Sequence, residues 1–178
     1  MDIKNRTIWT MWYQGLDQAP PLVRTCVDSW RKFNPDWQVI AVDQNCMRDW
    51  INLQDVIDLK RHDITAQRLS SFTRLSLLKK YGGVWADATV FCLRPLNDWL
   101  TDYYSTGFCA FQNPGPDRLF SSWFIAAGID NPILAEFHKA YVEFMNSQTF
   151  SNQDTKFARA AIKKLQPFLN KNVRRTVY

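Results

Sequence analysis

The sequence predicts an α/β fold, a mixed and mostly parallel sheet flanked by helices, and three observations carry that prediction. The first 42 residues read strand, helix, strand. That order inside about 40 residues is how a parallel strand pair with a crossover helix is written. A later helix is apolar on several sides and ends at Gly82-Gly83. A run of apolar residues follows those glycines at once and reads as the next buried strand.

The elements follow in order. Residues 6–13 (RTIWTMWY) are β-branched and aromatic and end at Gln14-Gly15, a buried strand running into a turn. After Pro20-Pro21 a helix is expected over 22–33, with Val23, Val27 and Trp30 at helical spacing and Asn34-Pro35 as its stop. Residues 37–42 (WQVIAV) form a second strand, closed by Asp43. Weak helical character over 47–60 precedes the strong helix over 65–81. In that helix Leu69, Phe72, Leu75, Leu77, Leu78 and Tyr81 spread around most of the wheel, so it is buried on several sides. Arg74 inside it therefore needs a partner. Strands are expected over 84–93, 108–111 and 123–126, and helices over 132–145 and 157–168. One domain accounts for residues 1–178, with no internal repeat or low-complexity linker.

Composition narrows the function classes. With 46% hydrophobic and 22% charged residues the chain is an ordinary globular one. Eight Trp and an aromatic share of 15% point to a large core, a surface that stacks on rings, or both. The net charge of +5 favours anionic partners such as a nucleotide diphosphate. A nucleic-acid partner is not expected, since the aromatics lie in apolar strands rather than in a basic, exposed patch. Cys26, Cys46, Cys92 and Cys109 are too scattered for a zinc knuckle or redox pair. Without a secretory signal they read as reduced, buried side chains, and the expected location is the cytoplasm. No apolar run is long enough to span a bilayer, so any membrane contact, at the inner face, is peripheral or lies outside this chain, and the basic residues over 163–175 read as a solvated helix face and tail or as a membrane-surface segment.

The chemistry centres on residues 82–89 (GGVWADAT). Two glycines turn the chain from buried helix to buried strand, and the strand carries one acid, Asp87. In an extended strand Asp87 and Thr89 face the same way. A carboxylate beside a hydroxyl can hold a divalent cation that bridges a diphosphate. The alternative is a carboxylate that caps a helix or pairs with Arg74. His62 and His138 have no paired acid at telling spacing, and neither a nucleophile elbow, a dinucleotide fingerprint nor a P-loop occurs.

Residues 70–90 (SSFTRLSLLKKYGGVWADATV) closely resemble the core block of the capsular polysaccharide synthesis family, akin to glycosyltransferase family 32 and more distantly to the large glucosylating toxins. Residues 8–15 (IWTMWYQG), with Ala19-Pro20, Val23, Cys26 and Ser29, resemble the family's opening strand and helix. Residues 123–127 with Asn131-Pro132 resemble a third block. The resemblance runs from about residue 6 to residue 145 and implies a GT-A type, Rossmann-like nucleotide-diphospho-sugar transferase fold. The implied activity is that of a bacterial-type glycosyltransferase of surface or capsular polysaccharide synthesis. It moves a sugar from a nucleotide-sugar donor to a glycan or other hydroxyl acceptor, with Mn2+ or Mg2+ and with retention of anomeric configuration.

Carried over by residue, the resemblance implies that Trp12 stacks on the base, the alternative being a plain core Trp, with Gln14 on the same donor-binding turn. Arg74 reaches the sugar and diphosphate, or forms a structural pair with Asp87. Asp87 touches the ribose or sugar and, with Thr89, holds the metal. Ser71 contacts the sugar where the family usually has Asp, which implies weak selectivity among sugars. Thr89 stands where an acid often completes the metal motif. Asn113, Asp117 and Asp130 are fallback metal ligands. The implied runner-up is a non-catalytic, donor-binding assembly subunit.

Overall fold

The computed structural model describes residues 5–52, 65–115 and 118–146. Five strands form one sheet in the order β2-β1-β3-β5-β4. They are β1 Thr7–Met11, β2 Gln38–Val42, β3 Gly83–Ala86, β4 Phe108–Gly115 and β5 Arg118–Ala127. β1 pairs in parallel with β2 on one side and with β3 on the other, while β5 runs antiparallel to both β3 and β4. Four of the five strands therefore point the same way, as the sequence predicts. The helices are α1 Pro21–Phe33, α2 Met47–Trp50, α3 Ala66–Tyr81, α4 Leu100–Tyr103 and α5 Pro132–Asn146.

Strand alternation splits the core in two. Trp9, Met11, Trp85, Ile125 and Ala127 share one hydrophobic cluster with Leu69, Phe72, Leu75 and Leu78 of α3 and with Ile133 and Leu134 of α5. Ile8, Val84, Ala86, Phe124 and Ala126 share the other with Trp30 of α1 and with Leu100 of α4. Helices thus cover both faces of the sheet. The all-round apolar character of α3 has its explanation here, since it touches β1, β3 and β5 on one side and α5 on the other.

The helix ends are set by the residues that the sequence singles out. Pro21 starts α1, where a missing N–H costs nothing. Asn34 ends it, returning its Nδ2 to the Trp30 carbonyl at 3.0 Å and accepting the Leu96 N–H at 2.7 Å. Gly82 closes α3 at φ 67 and Gly83 follows at φ 98, a region that favours glycine. Trp9 donates its indole N–H to the Gly82 carbonyl at 2.9 Å, which ties the helix end to β1.

Four expectations change. β3 stops at Ala86 instead of continuing to residue 93, because β5 pairs with it only as far as Phe124. Beyond that point side chains of α1 take over the polar groups of the chain. Cys26 Sγ bonds the Thr89 carbonyl at 3.6 Å, Trp30 Nε1 the Val90 carbonyl at 2.8 Å, and Ser29 Oγ accepts the Cys92 N–H at 2.8 Å. Of residues 88–93, Ala88 and Cys92 are buried while Phe91 and Leu93 are exposed, and the run is laid along α1 rather than built into a sheet. β4 and β5 are longer than expected, as each other's antiparallel partner. All four cysteines are free, and only Cys26 and Cys92 are buried. The helix expected over 157–168 and the end of the stretch 47–60 lie outside the described residues, as does His62.

His138 is structural. It is buried between α5 and α3, with Nε2 3.1 Å from Ser76 Oγ and the Phe72 ring at 5.7 Å. Burial, helped by the Lys79 charge, pushes its pKa down to about 4. The unfolded chain then takes up a proton below about pH 6.5 that the native chain refuses. Stability is expected to fall as pH drops from about 6.5 to 4, by roughly 2 kcal/mol at pH 4.5. Urea denaturation of the native chain and of His138→Gln at pH 7 and 4.5 checks this. A pH dependence equal in both would remove His138 as its source.

Candidate functional site

The three parallel strands end at one edge of the sheet, and Trp12, Asp43 and Asp87 are the first residues beyond β1, β2 and β3. The chain leaves β1 for β2 on one side and returns as β3 on the other. Such a reversal opens a crevice at the carboxyl ends of the strands, where ligands of open α/β sheets bind. The turn after β1 is laced to the end of β2, since the Trp12 N–H reaches the Val42 carbonyl at 3.1 Å and the Gln44 N–H the Tyr13 carbonyl at 2.9 Å.

Asp87 is the most elaborately held group at this edge. Its Oδ1 accepts from Arg74 at 2.7 Å and from the Trp85 indole at 2.6 Å. Its backbone N–H goes to the Trp123 carbonyl at 2.9 Å, and its carbonyl accepts the Val90 N–H at 2.8 Å. Oδ2 has no hydrogen-bond partner among the described residues, and the side chain is 33% exposed. One carboxylate oxygen is thus fixed inside and the other faces outward.

Arg74 answers the question that its burial raises. The guanidinium lies 5.0 Å above the Trp85 ring and pairs with Asp87, and the side chain is 8% exposed. Burial pushes its pKa down from the ordinary arginine value, and the Asp87 charge opposes that shift. Its Nε is buried with no hydrogen-bond partner among the described residues. The structural pair is therefore what forms, and Arg74 meets the site through Asp87.

Trp12 is half-buried and packs on a small cluster of Ala19, Val23, Val27 and Ala88. Ala88 belongs to the turn after Asp87, so this packing joins the Trp12 and Asp87 loops. Gln14 is exposed on the Trp12 turn. Ser71 is half-buried on α3, one turn before Arg74. Thr89 is exposed within a turn rather than an extended strand, so the alternation that would align it with Asp87 does not apply.

Of the fallback residues, Asp130 does not join this edge. Asp130 follows Ala127, which pairs with Gly83 at the opposite end of β3. Asn113 lies on β4, two strands away from β3, and Asp117 lies outside the described residues. Among the described residues no three His, Cys, Asp or Glu side chains gather around a metal position. Sequence reasoning missed Trp85 and Asp43 as members of the site. The two-residue spacing of Trp85 and Asp87 was the available signal for the first, and the parallel pairing of β2 with β1 for the second.

The comparisons with known proteins now have a geometry to meet. A family model described as capsular polysaccharide synthesis protein matches residues 1–158. The chain belongs to this family. Relatives of this chain include the O-glycosyltransferase braB of Annulohypoxylon truncatum, 25% identical over 82% of this chain and 39% of its own length. The glycosyltransferase afumC of Aspergillus fumigatus is 28% identical over 79% of this chain and 40% of its own. Both are fungal, and the chain spans about two fifths of the length of these relatives. Among solved structures, the PaToxG glycosyltransferase superposes with a TM-score of 0.60 at 15% identity, covering 94% of this chain and 72% of its own. The fold is thus that of a glycosyltransferase, as the sequence predicts. No helix of the described residues is long and apolar enough to cross a membrane.

Proposed function

We propose that this family member binds a nucleotide-sugar donor across the carboxyl edge and transfers the sugar to a hydroxyl acceptor, a glycan or another alcohol, with Mn2+ or Mg2+. The observation that carries this reading is Asp87, at the switch of strand order with Oδ1 locked inward and Oδ2 unengaged. A single carboxylate suits a cation that keeps most of its shell for water and substrate phosphates. The residues present therefore fit the metal, with Asp87 holding it and the exposed Thr89 hydroxyl as second candidate ligand. The cation would supply charge screening for the departing diphosphate.

The protein's own work is positioning. Arg74 and Trp85 fix the orientation of Asp87. Trp12 offers an aromatic face to the base, and Ser71 contacts the sugar. Binding of a nucleoside diphosphate should quench Trp12 fluorescence, and Trp12→Ala should weaken binding by roughly 1–3 kcal/mol. If Trp12→Ala instead lowers stability and leaves the affinity unchanged, Trp12 is only a core residue.

The reading is tested by incubating the chain with nucleotide sugars and Mn2+ and following release of nucleoside diphosphate. Metal-dependent release with retained anomeric configuration supports an enzyme. Binding without release supports the second reading, a donor-binding assembly subunit, which the presence of Ser71 in place of an acid favours. Neither binding nor release would overturn both.

A further inference from the structure

The face of the sheet that carries α1 and α4 holds an open apolar cleft of about 410 Å3 that the proposed function leaves unused. Trp99, Phe111, Trp123 and Phe124 give it an aromatic wall, with Trp123 stacked on Phe111 at 4.9 Å and Trp99 at 6.2 Å. The run 90–94, laid along α1, supplies much of the rest. Three of the five large hydrophobic side chains exposed among the described residues, Phe91, Leu93 and Tyr103, line this one cleft. Exposed apolar surface gathered in one place marks a binding surface. The cleft also adjoins Asp87. Val90 donates its N–H to the Asp87 carbonyl at 2.8 Å, and the Trp123 carbonyl accepts the Asp87 N–H at 2.9 Å. Both backbone groups of Asp87 are therefore tied to residues that line the cleft.

We propose that this cleft is the acceptor site, taking an alcohol with an apolar, ring-bearing body whose hydroxyl projects at the Asp87 edge. The inference rests on the donor reading above and narrows its acceptor from any hydroxyl compound to this class. A cleft of this volume suits a small molecule. Sugar hydroxyls taken out of water each need a directed partner. Among the described residues no carboxylate or carboxamide side chain lines the cleft. The Trp30 indole N–H is spent on the Val90 carbonyl at 2.8 Å, and the Cys92 thiol on the Arg94 carbonyl at 3.2 Å. An apolar ring asks for no such partners and gains from stacking on the aromatic wall. In the transfer the acceptor oxygen bonds to the anomeric carbon as that carbon's bond to the diphosphate breaks. The electron pair of the broken bond leaves with the diphosphate, which also takes the hydroxyl proton.

2-Naphthylmethanol serves as probe and glucose as the polar comparison. The full chain is incubated with Mn2+, a panel of nucleotide sugars and either alcohol, and the glycosylated product is measured. Transfer to naphthylmethanol is expected with a kcat/KM about tenfold or more above that for glucose. Phe91→Glu and Leu93→Glu, both on exposed side chains, place a charge at the mouth of the cleft. Each should raise the KM for naphthylmethanol about tenfold, with the affinity for nucleotide sugar unchanged. Equal use of the two alcohols, or a KM that neither variant moves, overturns the inference and leaves the donor reading standing. Nucleotide-sugar binding without transfer to either alcohol does the same. A native dimer in sedimentation that Phe91→Glu turns into a monomer makes the cleft an interface between copies and overturns the acceptor site. A native chain that binds no nucleotide sugar overturns the donor reading itself, and the acceptor site with it.

Discussion

Asp87→Asn is expected to lower metal-dependent donor turnover by about a hundredfold or more, the scale of losing one group aimed at the developing charge. It should also cost stability, because Arg74 loses the charge that makes its burial tolerable. Removing one partner of a fully buried pair costs several kcal/mol. Here the carboxylate is one-third exposed and asparagine still accepts a hydrogen bond, so about 1–3 kcal/mol is expected. The two effects separate in a double variant. Arg74→Met with Asp87→Asn removes the orphaned charge and should be more stable than Asp87→Asn alone, yet no more active. Denaturation and turnover measured on the native chain and these two variants give both answers. Full metal-dependent turnover in Asp87→Asn would take Asp87 out of the site.

Gly83→Ala is expected to be the most damaging methyl group that can be added to this chain. The β-carbon would stand 2.5 Å from the Thr7 carbonyl oxygen and 3.4 Å from Trp9 Nε1, at φ 98. Thr7 starts β1, which is paired on both sides, so the clash falls on backbone that cannot swing away. Strain and clash together should cost more than about 3 kcal/mol, enough to leave most of the chain unfolded. Gly82→Ala meets the backbone of Ala127 and Ile129 at 3.1 Å, a milder contact, and should cost about 1–2 kcal/mol. Urea denaturation of the two variants reads the ranking directly. A Gly83→Ala chain as stable as the native one would contradict the close approach of β3 to β1. That approach also sets the site, since Gly82-Gly83 joins the helix of Arg74 to the strand of Asp87.

Much of this was legible in the sequence because local signals and tertiary demands agree. The Pro21 start and Asn34 stop of α1, the all-round apolar α3 and its glycine end each reflect one physical cause visible within a few residues. The apolar run after Ala86 misled, since periodicity cannot distinguish a strand from a segment lying along a helix. What turned the chain there was Cys26, Ser29 and Trp30 of α1, some sixty residues earlier, donating to or accepting from it. The pairing of Arg74 with Asp87 was foreseen as one of two alternatives. The free oxygen of Asp87 was not visible in the sequence, because which lone pairs remain unspent is a property of three-dimensional neighbours.

The most direct measurement is the melting temperature of the chain with a panel of nucleotide sugars, each with and without Mn2+. A ligand that binds only the native state raises it. At least one nucleotide sugar is expected to raise it by several degrees in Mn2+, with no rise in Asp87→Asn under the same conditions. A rise of equal size without the metal, or in Asp87→Asn, or no rise with any nucleotide sugar, would contradict a donor site built on Asp87.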